Sequence, residues 1–284
     1  MNLKFTERCL KILDNAEKES LKRNKVVYPI HLLMGLLLER TGVCAELYFH
    51  YPNLINIVNE RINKTKFAQK DEEISCNFFT VKITQTTKQV LEIARDRMKH
   101  FNQVYINEGH LFDAIISVND ITINNVFKEF DVSHIYEIMV YPRDMIVPLK
   151  NYSYQNIPTT NITFKRANQH DNIFLKSFVE REFGKAWSKS VENGFLNKKI
   201  SIFIAQDKED IIGFACYDVV RKKRGVFGPM GVSFSNRVKG IGYTLFHLCL
   251  QEMKEIGYEY AVIGEAGPLE FYEKACGAVV IPIK

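Results

Sequence analysis

The sequence predicts an α+β chain in two parts: an all-α doubled four-helix repeat over residues 1–141 and, after a linker at 142–160, an α/β unit over 161–284 with a mixed, mostly antiparallel sheet. Three observations carry this reading. An apolar pattern at helical spacing occurs twice, offset by about eighty residues. Beyond residue 160 the spacing changes to short β-prone runs alternating with helical ones. Between one such run and the helix after it stands Arg237-Val238-Lys239-Gly240-Ile241-Gly242, a glycine-rich loop suited to an anion.

The first copy of the repeat opens at Thr6, a good N-cap residue, after which Leu10, Ile12, Leu13 and Ala16 fall at helical spacing. A second helix begins near Pro29, a residue suited to a first turn, and carries His31-Leu32-Leu33 and Leu36-Leu37 into a core. Residues 43–48 and 54–62 supply two shorter helices. The second copy follows the same plan: Thr84, Val90, Leu91 and Ala94 stand as Thr6, Ile12, Leu13 and Ala16 do, and Asn102 echoes Asn24. His110-Leu111-Phe112 with Ile115-Ile116 matches the second helix, and the polar stretch 66–77 joins the copies. A histidine beside large apolar residues at equivalent places of two repeats packs or caps a helix, so His31 and His110 are read as structural.

Residues 141–160 hold Pro142, Pro148 and Pro158 among Asn, Ser and Thr and show no helical period, so they read as an extended boundary. Its Met145, Ile146, Val147 and Leu149 are expected to lie on a surface. Beyond it, strands are expected at 162–166, 200–205, 211–220, 226–232, 260–264 and 278–283, and helices at 172–183, 187–196, 244–256 and 268–275. The chain stops in or just after its last strand. The open sheet edge then needs a cover from the linker, the first unit or a second copy in a homodimer.

The formal charge of +5 is mild and spread along the chain, so a nucleic-acid partner is not expected, while an acidic ligand is well suited. None of the six cysteines forms a Cys-x-x-Cys pair or has a histidine at metal spacing, which implies reduced, mostly buried thiols and no metal. The first residues acquire charge too early for a secretory signal, and no apolar run approaches membrane-spanning length. A cytoplasmic location without a membrane partner is therefore expected.

In the loop, Gly240 and Gly242 let backbone approach phosphate oxygens, Arg237 adds charge, and the helix start adds N–H groups and the positive end of its dipole. A Phe-Tyr-x-Lys run, Phe271 to Lys274, follows further along. These motifs and the element order β-α-α-β-β-β-α-β-α-β together resemble the GCN5-related N-acetyltransferase (GNAT) family over about residues 160–284. The resemblance implies acetyl-CoA as cosubstrate and an amine acceptor, a small molecule or a protein. It implies that the strands 226–232 and 260–264 splay, that N–H groups of Met230, Gly231 and Val232 hold the pantetheine arm, and that Val238, Lys239, Gly240, Ile241, Gly242 and Tyr243 cradle the pyrophosphate with Arg237. Tyr272 matches the tyrosine that protonates the CoA sulfur. Many relatives carry a glutamate on the strand before the loop. This strand has none, and Pro229 is a further departure, so Glu265 is the expected general base, acting through water, with Asp218 second. Phe183 to Trp187 falls where the family shapes its acceptor pocket, Arg221-Lys222-Lys223-Arg224 reads as a solvated hairpin tip, and Cys249 and Cys276 as buried thiols.

The doubled helical unit resembles the N-terminal repeat domain of the Clp-type unfoldases over about residues 3–140, on its helix-one pattern and its His-Leu-Leu and His-Leu-Phe runs. The resemblance implies a docking module for a protein partner that does no chemistry itself. Some members bind phosphoarginine through a glutamate preceding the helix-two histidine. Here Ile30 and Gly109 occupy those places, with Glu108 one residue away, which argues against that ligand. The favoured expectation is an acetyl-CoA-dependent N-acetyltransferase with a docking unit at its front. The alternative is an adaptor that senses CoA without turnover, and the missing strand glutamate favours it.

Overall fold

The computed structural model describes residues 3–23, 25–65, 72–154, 161–237 and 240–284. Asn24, the first half of the expected inter-copy stretch, the end of the expected linker, Val238 and Lys239 lie outside the described residues. The chain divides into two compact units, residues 1–142 with 282–284, and 143–281.

In the first unit α1 (Glu7–Leu21), β1 (Val26–Val27), α2 (Pro29–Leu38), α3 (Gly42–His50) and α4 (Leu54–Lys64) form one copy. After β2 (Glu73–Ile74), the segment β3 (Lys82–Thr84), α5 (Gln85–His100), α6 (Glu108–Ser117), α7 (Ile121–Phe127) and α8 (Val132–Met139) forms the other. The echoed residues play equivalent local roles. Thr6 Oγ1 accepts the Cys9 N–H at 3.2 Å and Thr84 Oγ1 the Thr87 N–H at 3.1 Å, so each first helix is capped alike. His31 Nδ1 accepts the Tyr28 N–H at 3.1 Å and His110 Nδ1 the Asn107 N–H at 3.2 Å. Burial depresses both imidazoles to about 4, which keeps them neutral acceptors at the helix starts.

The two copies also exchange backbone. The residue before the N-cap of α1 bridges the one before the N-cap of α6, Phe5 with Ile106, and β1, which precedes α2, pairs in parallel with β3, which precedes α5. Arg8 in α1 meets Glu108 in α6 at 2.6 Å, with side chains 6% and 4% exposed, and Arg8 Nε donates to Thr41 Oγ1 at 3.0 Å. The Glu108 carboxylate, one residue before Gly109, is thus bound to a guanidinium of the protein itself.

The second unit is a seven-stranded sheet with helices on both faces. In chain order it holds β4 (Arg143–Pro148), β5 (Ile162–Arg166), α9 (Asn172–Phe183), α10 (Ser188–Leu196), β6 (Ile202–Asp207), β7 (Asp210–Tyr217) and β8 (Val226–Val232). Then come α11 (Ile241–Ile256), β9 (Tyr260–Ala266), α12 (Leu269–Cys276) and β10 (Val279–Val280). The strand order is β10-β4-β9-β8-β7-β6-β5, antiparallel throughout except for β8 and β9. Leu175, Phe178, Val191 and Phe195 of α9 and α10 pack on Ile204 and Phe214 of one face. Leu245, Phe246, Met253 and Tyr272 of α11 and α12 pack on Met145, Ala215, Phe227 and Ile263 of the other.

The expected linker at 142–160 needs correction along its first part. Arg143, Met145 and Val147 are buried in strict alternation, and the strand they define lies between β9 and β10. Pro142 and Pro148 bracket this strand at its ends, where a missing N–H costs least. Beyond it the chain crosses α11: Lys254 Nζ donates to the Tyr152 carbonyl at 2.7 Å and Tyr154 stacks on His247 with centroids 4.7 Å apart. The last strand is shorter than expected, and the edge of β9 is covered by β4 from within the chain.

Removing one partner of a buried ion pair leaves the other charge uncompensated. Glu108→Gln is expected to destabilise the first unit by about 3 kcal/mol, read as a lowered urea midpoint in the full chain, whereas substitution at the exposed Lys18–Asp14 pair shifts it little.

Candidate active site

β8 and β9 are neighbours only at Val226↔Val262 and Phe227↔Ile263. Past that point β8 continues along β7 through Met230, Gly231 and Val232, while β9 continues along β4 to Ala266. The two strands therefore part and leave a gap in the sheet. The Ser233 N–H reaches the Ile212 carbonyl at 2.9 Å, which fixes the parity of β8. By the alternation of a strand, the N–H groups of Met230 and Val232 point away from β7, toward the gap. Pro229 contributes no N–H.

The start of α11 stands at the same place. Gly240 is its N-cap in a left-handed conformation with φ +78°, and no side chain caps the helix among the described residues. The first-turn N–H groups of Ile241, Gly242 and Tyr243 lack intrahelical partners by construction, so this end attracts an anion. A Cβ at Gly242 would lie 3.6 Å from Val232 Cγ2 and 3.9 Å from Met230 Cε, so the helix start abuts the free edge of β8. Arg237 Nε donates to the Val232 carbonyl at 3.1 Å, tying the loop to the strand end, and its guanidinium lies 5.5 Å from the Phe234 ring centroid. Burial lowers its pKa, partly offset by Glu182. Arg237, Gly240, Ile241, Gly242, Tyr243, Met230, Gly231 and Val232 are thus gathered around one gap. Val238 and Lys239 lie outside the described residues.

The faces of the gap differ. On the α11–α12 face Tyr272 is buried with its ring 5.2 Å from Phe246 and 6.4 Å from Phe227, the last residue of β8 paired to β9. Burial, with a smaller contribution from Cys276, pushes its hydroxyl pKa well up, so the phenol keeps its proton. On the α9–α10 face Phe183 covers Gly231, where a Cβ would fall 2.5 Å from the ring, and Phe183 stacks on Trp187 at 5.1 Å. Arg221 lies over Gly264, within 3.8 Å of where a Cβ would stand. A glycine on each parted strand makes room for these two groups.

Glu265 follows Gly264 in a left-handed conformation, φ +49°, with its side chain 74% exposed and Oε1 3.4 Å from Arg221 Nη2. Its N–H donates to Asp144 Oδ1 at 2.9 Å, and Asp144 also takes both terminal nitrogens of Arg221. The hairpin-tip reading of Arg221 is thereby corrected, since its guanidinium is fixed by a carboxylate from β4. The sequence alone does not single out Asp144, because the strand that delivers it reads as linker. Asp218 is occupied within the β7–β8 connection, accepting from the Gly225 N–H at 2.7 Å and the Tyr258 hydroxyl at 2.8 Å. Burial raises the thiols of Cys249 and Cys276, the latter to about 11, so both stay protonated. No group of three metal-binding side chains occurs among the described residues, and no helix among them is long and apolar enough to cross a membrane.

With this geometry in place, two family models match the chain: the Clp repeat (R) N-terminal domain over residues 4–130 and the acetyltransferase (GNAT) family over residues 168–278. No curated protein matches it. Solved structures similar to it include the N-terminal domain of the chaperone ClpD from Arabidopsis thaliana, 23% identical with a TM-score of 0.38, covering 49% of this chain and 94% of that one. A GCN5-related N-acetyltransferase from Sphaerobacter thermophilus is 19% identical with a TM-score of 0.42 and covers 50% of this chain; the chain spans about half of that one, 49%. The Hsp104 N-terminal domain from Candida albicans is 20% identical with a TM-score of 0.39, covering 48% of this chain and 88% of that one. The chain carries a Clp repeat-like helical unit followed by a GNAT-like mixed sheet, and the second match supports acetyl transfer as the general chemistry of that unit.

Trp187 is the only tryptophan of the chain, so its emission reports on this face of the gap alone. Gly231→Ala is expected to displace the Phe183 ring and shift that emission, and Gly231→Ala with Phe183→Ala to bring it back toward that of Phe183→Ala alone, measured by steady-state fluorescence.

Proposed function

We propose that the second unit is an acetyl-CoA-dependent N-acetyltransferase that passes the acetyl group directly to an amine. The observation that carries this is the coincidence of the parted strands with the start of α11, which no side chain caps among the described residues. A long ligand with an anionic end and amide groups along its arm fits both at once. Acetyl-CoA supplies a thioester carbonyl. The first-turn N–H groups of α11 with Arg237, Val238 and Lys239 hold the pyrophosphate, and the N–H groups of Met230 and Val232 hold the arm and polarise the carbonyl, while that of Gly231 faces β7 and takes no part. The amine nitrogen attacks the carbonyl carbon; the new N–C bond forms as the C–S bond breaks. Tyr272 gives its proton to the departing sulfur, and the proton lost by the amine passes through water to Glu265. The first unit serves as a docking module for a protein partner, so a protein or peptide amine is one acceptor class and a small amine the other.

A second reading, a CoA-sensing adaptor without turnover, is favoured by one observation: β8 bears no carboxylate, and Glu265 is engaged by Arg221. Calorimetry with acetyl-CoA followed by thiol-release assays over amines and peptides separates the two. Binding with turnover selects the transferase, binding without turnover on any acceptor selects the adaptor, and absence of binding rejects both.

Two further outcomes are expected. Gly240→Val, which forces a β-branched residue into a left-handed N-cap, weakens acetyl-CoA binding by about tenfold or more, read by calorimetry. Tyr272→Phe leaves that affinity unchanged and lowers turnover by about 100-fold or more. A group whose folded pKa is raised keeps its acid form as pH climbs past the ordinary value and loses it only beyond the raised one. Turnover limited by Tyr272 should therefore show no alkaline fall up to about pH 10.

A further inference from the structure

Asp144 belongs to neither matched stretch, lying between residues 130 and 168. The strand that carries it is nonetheless an interior strand of the sheet, paired with β9 on one side and β10 on the other. Its position at the end of β4 puts its carboxylate against two features at the mouth of the gap. Asp144 Oδ1 accepts the Glu265 N–H at 2.9 Å and Arg221 Nη2 at 2.9 Å, and Arg221 Nη1 donates to Oδ2. Arg221 is therefore gripped by both oxygens of one carboxylate, the fork geometry in which a guanidinium is held most firmly. Its contact with Glu265 is longer, 3.4 Å, and Glu265 stays 74% exposed.

The competition has a direction. One guanidinium stands between two carboxylates, and the less exposed of them, Asp144 at 30% against 74% for Glu265, takes it. Were Asp144 not there, Arg221 would be free to close bidentately on Glu265 and occupy both of its oxygens. The left-handed backbone at Glu265, whose N–H is held by Asp144, would also lose its anchor. Two other left-handed residues, Arg221 at φ +55° and Lys222 at φ +49°, shape the loop that brings the guanidinium over Gly264.

We propose that Asp144 is a positioning residue for acetyl transfer, which draws Arg221 away from Glu265 and fixes the end of β9 so that the Glu265 carboxylate is open to the acceptor's proton. This rests on the reading of the second unit as a transferase with Glu265 as proton acceptor. The segment between the two matched stretches thereby acquires a role, since β4 completes the sheet and brings to the site a side chain that the matched stretch lacks.

The test uses the full chain with acetyl-CoA and, as acceptors, spermidine, glucosamine and a short lysine-containing peptide. Asp144→Asn keeps an oxygen for the Glu265 N–H but gives up the charge that holds Arg221. The expected result is acetyl-CoA affinity within about twofold of the parent by calorimetry, with kcat/KM for the amine lowered about tenfold or more. Adding Arg221→Gln removes the competitor and is expected to return kcat/KM to within about threefold of the parent. Thermal unfolding of each variant accompanies the kinetics. Parental kcat/KM in Asp144→Asn overturns the proposal, as does a loss that Arg221→Gln leaves uncorrected while the unfolding midpoint falls, since a purely structural role gives that pattern. Failure of the unchanged protein to bind acetyl-CoA overturns the transferase reading and this proposal together, and is told apart from the other failures because it precedes any substitution.

Discussion

Two residues of β8 and two of β9 are all that join the halves of the sheet in parallel, and what the second unit offers a ligand follows from where that pairing stops. Past Phe227 and Ile263 the backbone groups facing the gap have no strand opposite them. A buried amide without a partner costs about 1–3 kcal/mol, so such an edge is kept only where water or a ligand satisfies it. The first turn of α11, which no side chain caps among the described residues, presents a second set of N–H donors beside the same edge. The Arg237 Nε bond to the Val232 carbonyl ties the chain after β8 to the strand end, and Gly240 stands in a left-handed conformation at the helix start.

The parting also requires that each strand have somewhere else to go. β8 leaves with β7, and β9 leaves with β4, whose register runs from Tyr260 to Ala266. Without β4, β9 would present its outer edge to solvent along the length on which the gap depends, and the strand would be held by two residue pairs alone. The first strand of the unit therefore supports the gap from the side opposite to the loop. The glycines on the two strands complete the arrangement, Gly231 beneath Phe183 and Gly264 beneath Arg221, since a side chain at either place would meet the group that lies over it.

The helices and most strands were legible because their signals are local. Thr6 and Thr84 mark caps that the structure forms, the 3.6-residue apolar period marks the buried faces, and 172–183 and 226–232 have the bounds expected of them. The loop was legible because Gly240 and Gly242 leave few alternatives to a tight turn into a helix. What stayed hidden was long-range. Arg143-Asp144-Met145-Ile146-Val147 alternates in burial but not in polarity, and two bracketing prolines and a position between two recognisable halves make it read as a connection. Its partners, β9 and β10, lie more than a hundred residues further on. With β4 hidden, Asp144 was hidden too, and Arg221 was left looking like one of four solvated charges. The exchange of strands between the helical copies was equally invisible, although the repeat that permits it was plain.

The division of the gap into an apolar face and a charged one bears on how protons could move through it. Tyr272 is enclosed by Phe227, Phe246 and Phe271, and a phenolate in that setting would lose hydration without gaining a cation, so the neutral form is favoured. A group held neutral is able to give a proton and unable to keep a negative charge for long. At the end of β9 the Glu265 side chain is 74% exposed to water, with its backbone N–H held by Asp144. In the proposed transfer, the donor Tyr272 would lie in the aromatic cluster with Phe227 and Phe246, and the acceptor Glu265 beside Arg221 at the end of β9. Those settings place opposite requirements on the two groups: dryness around Tyr272, and open access around Glu265 that depends on where Arg221 is held.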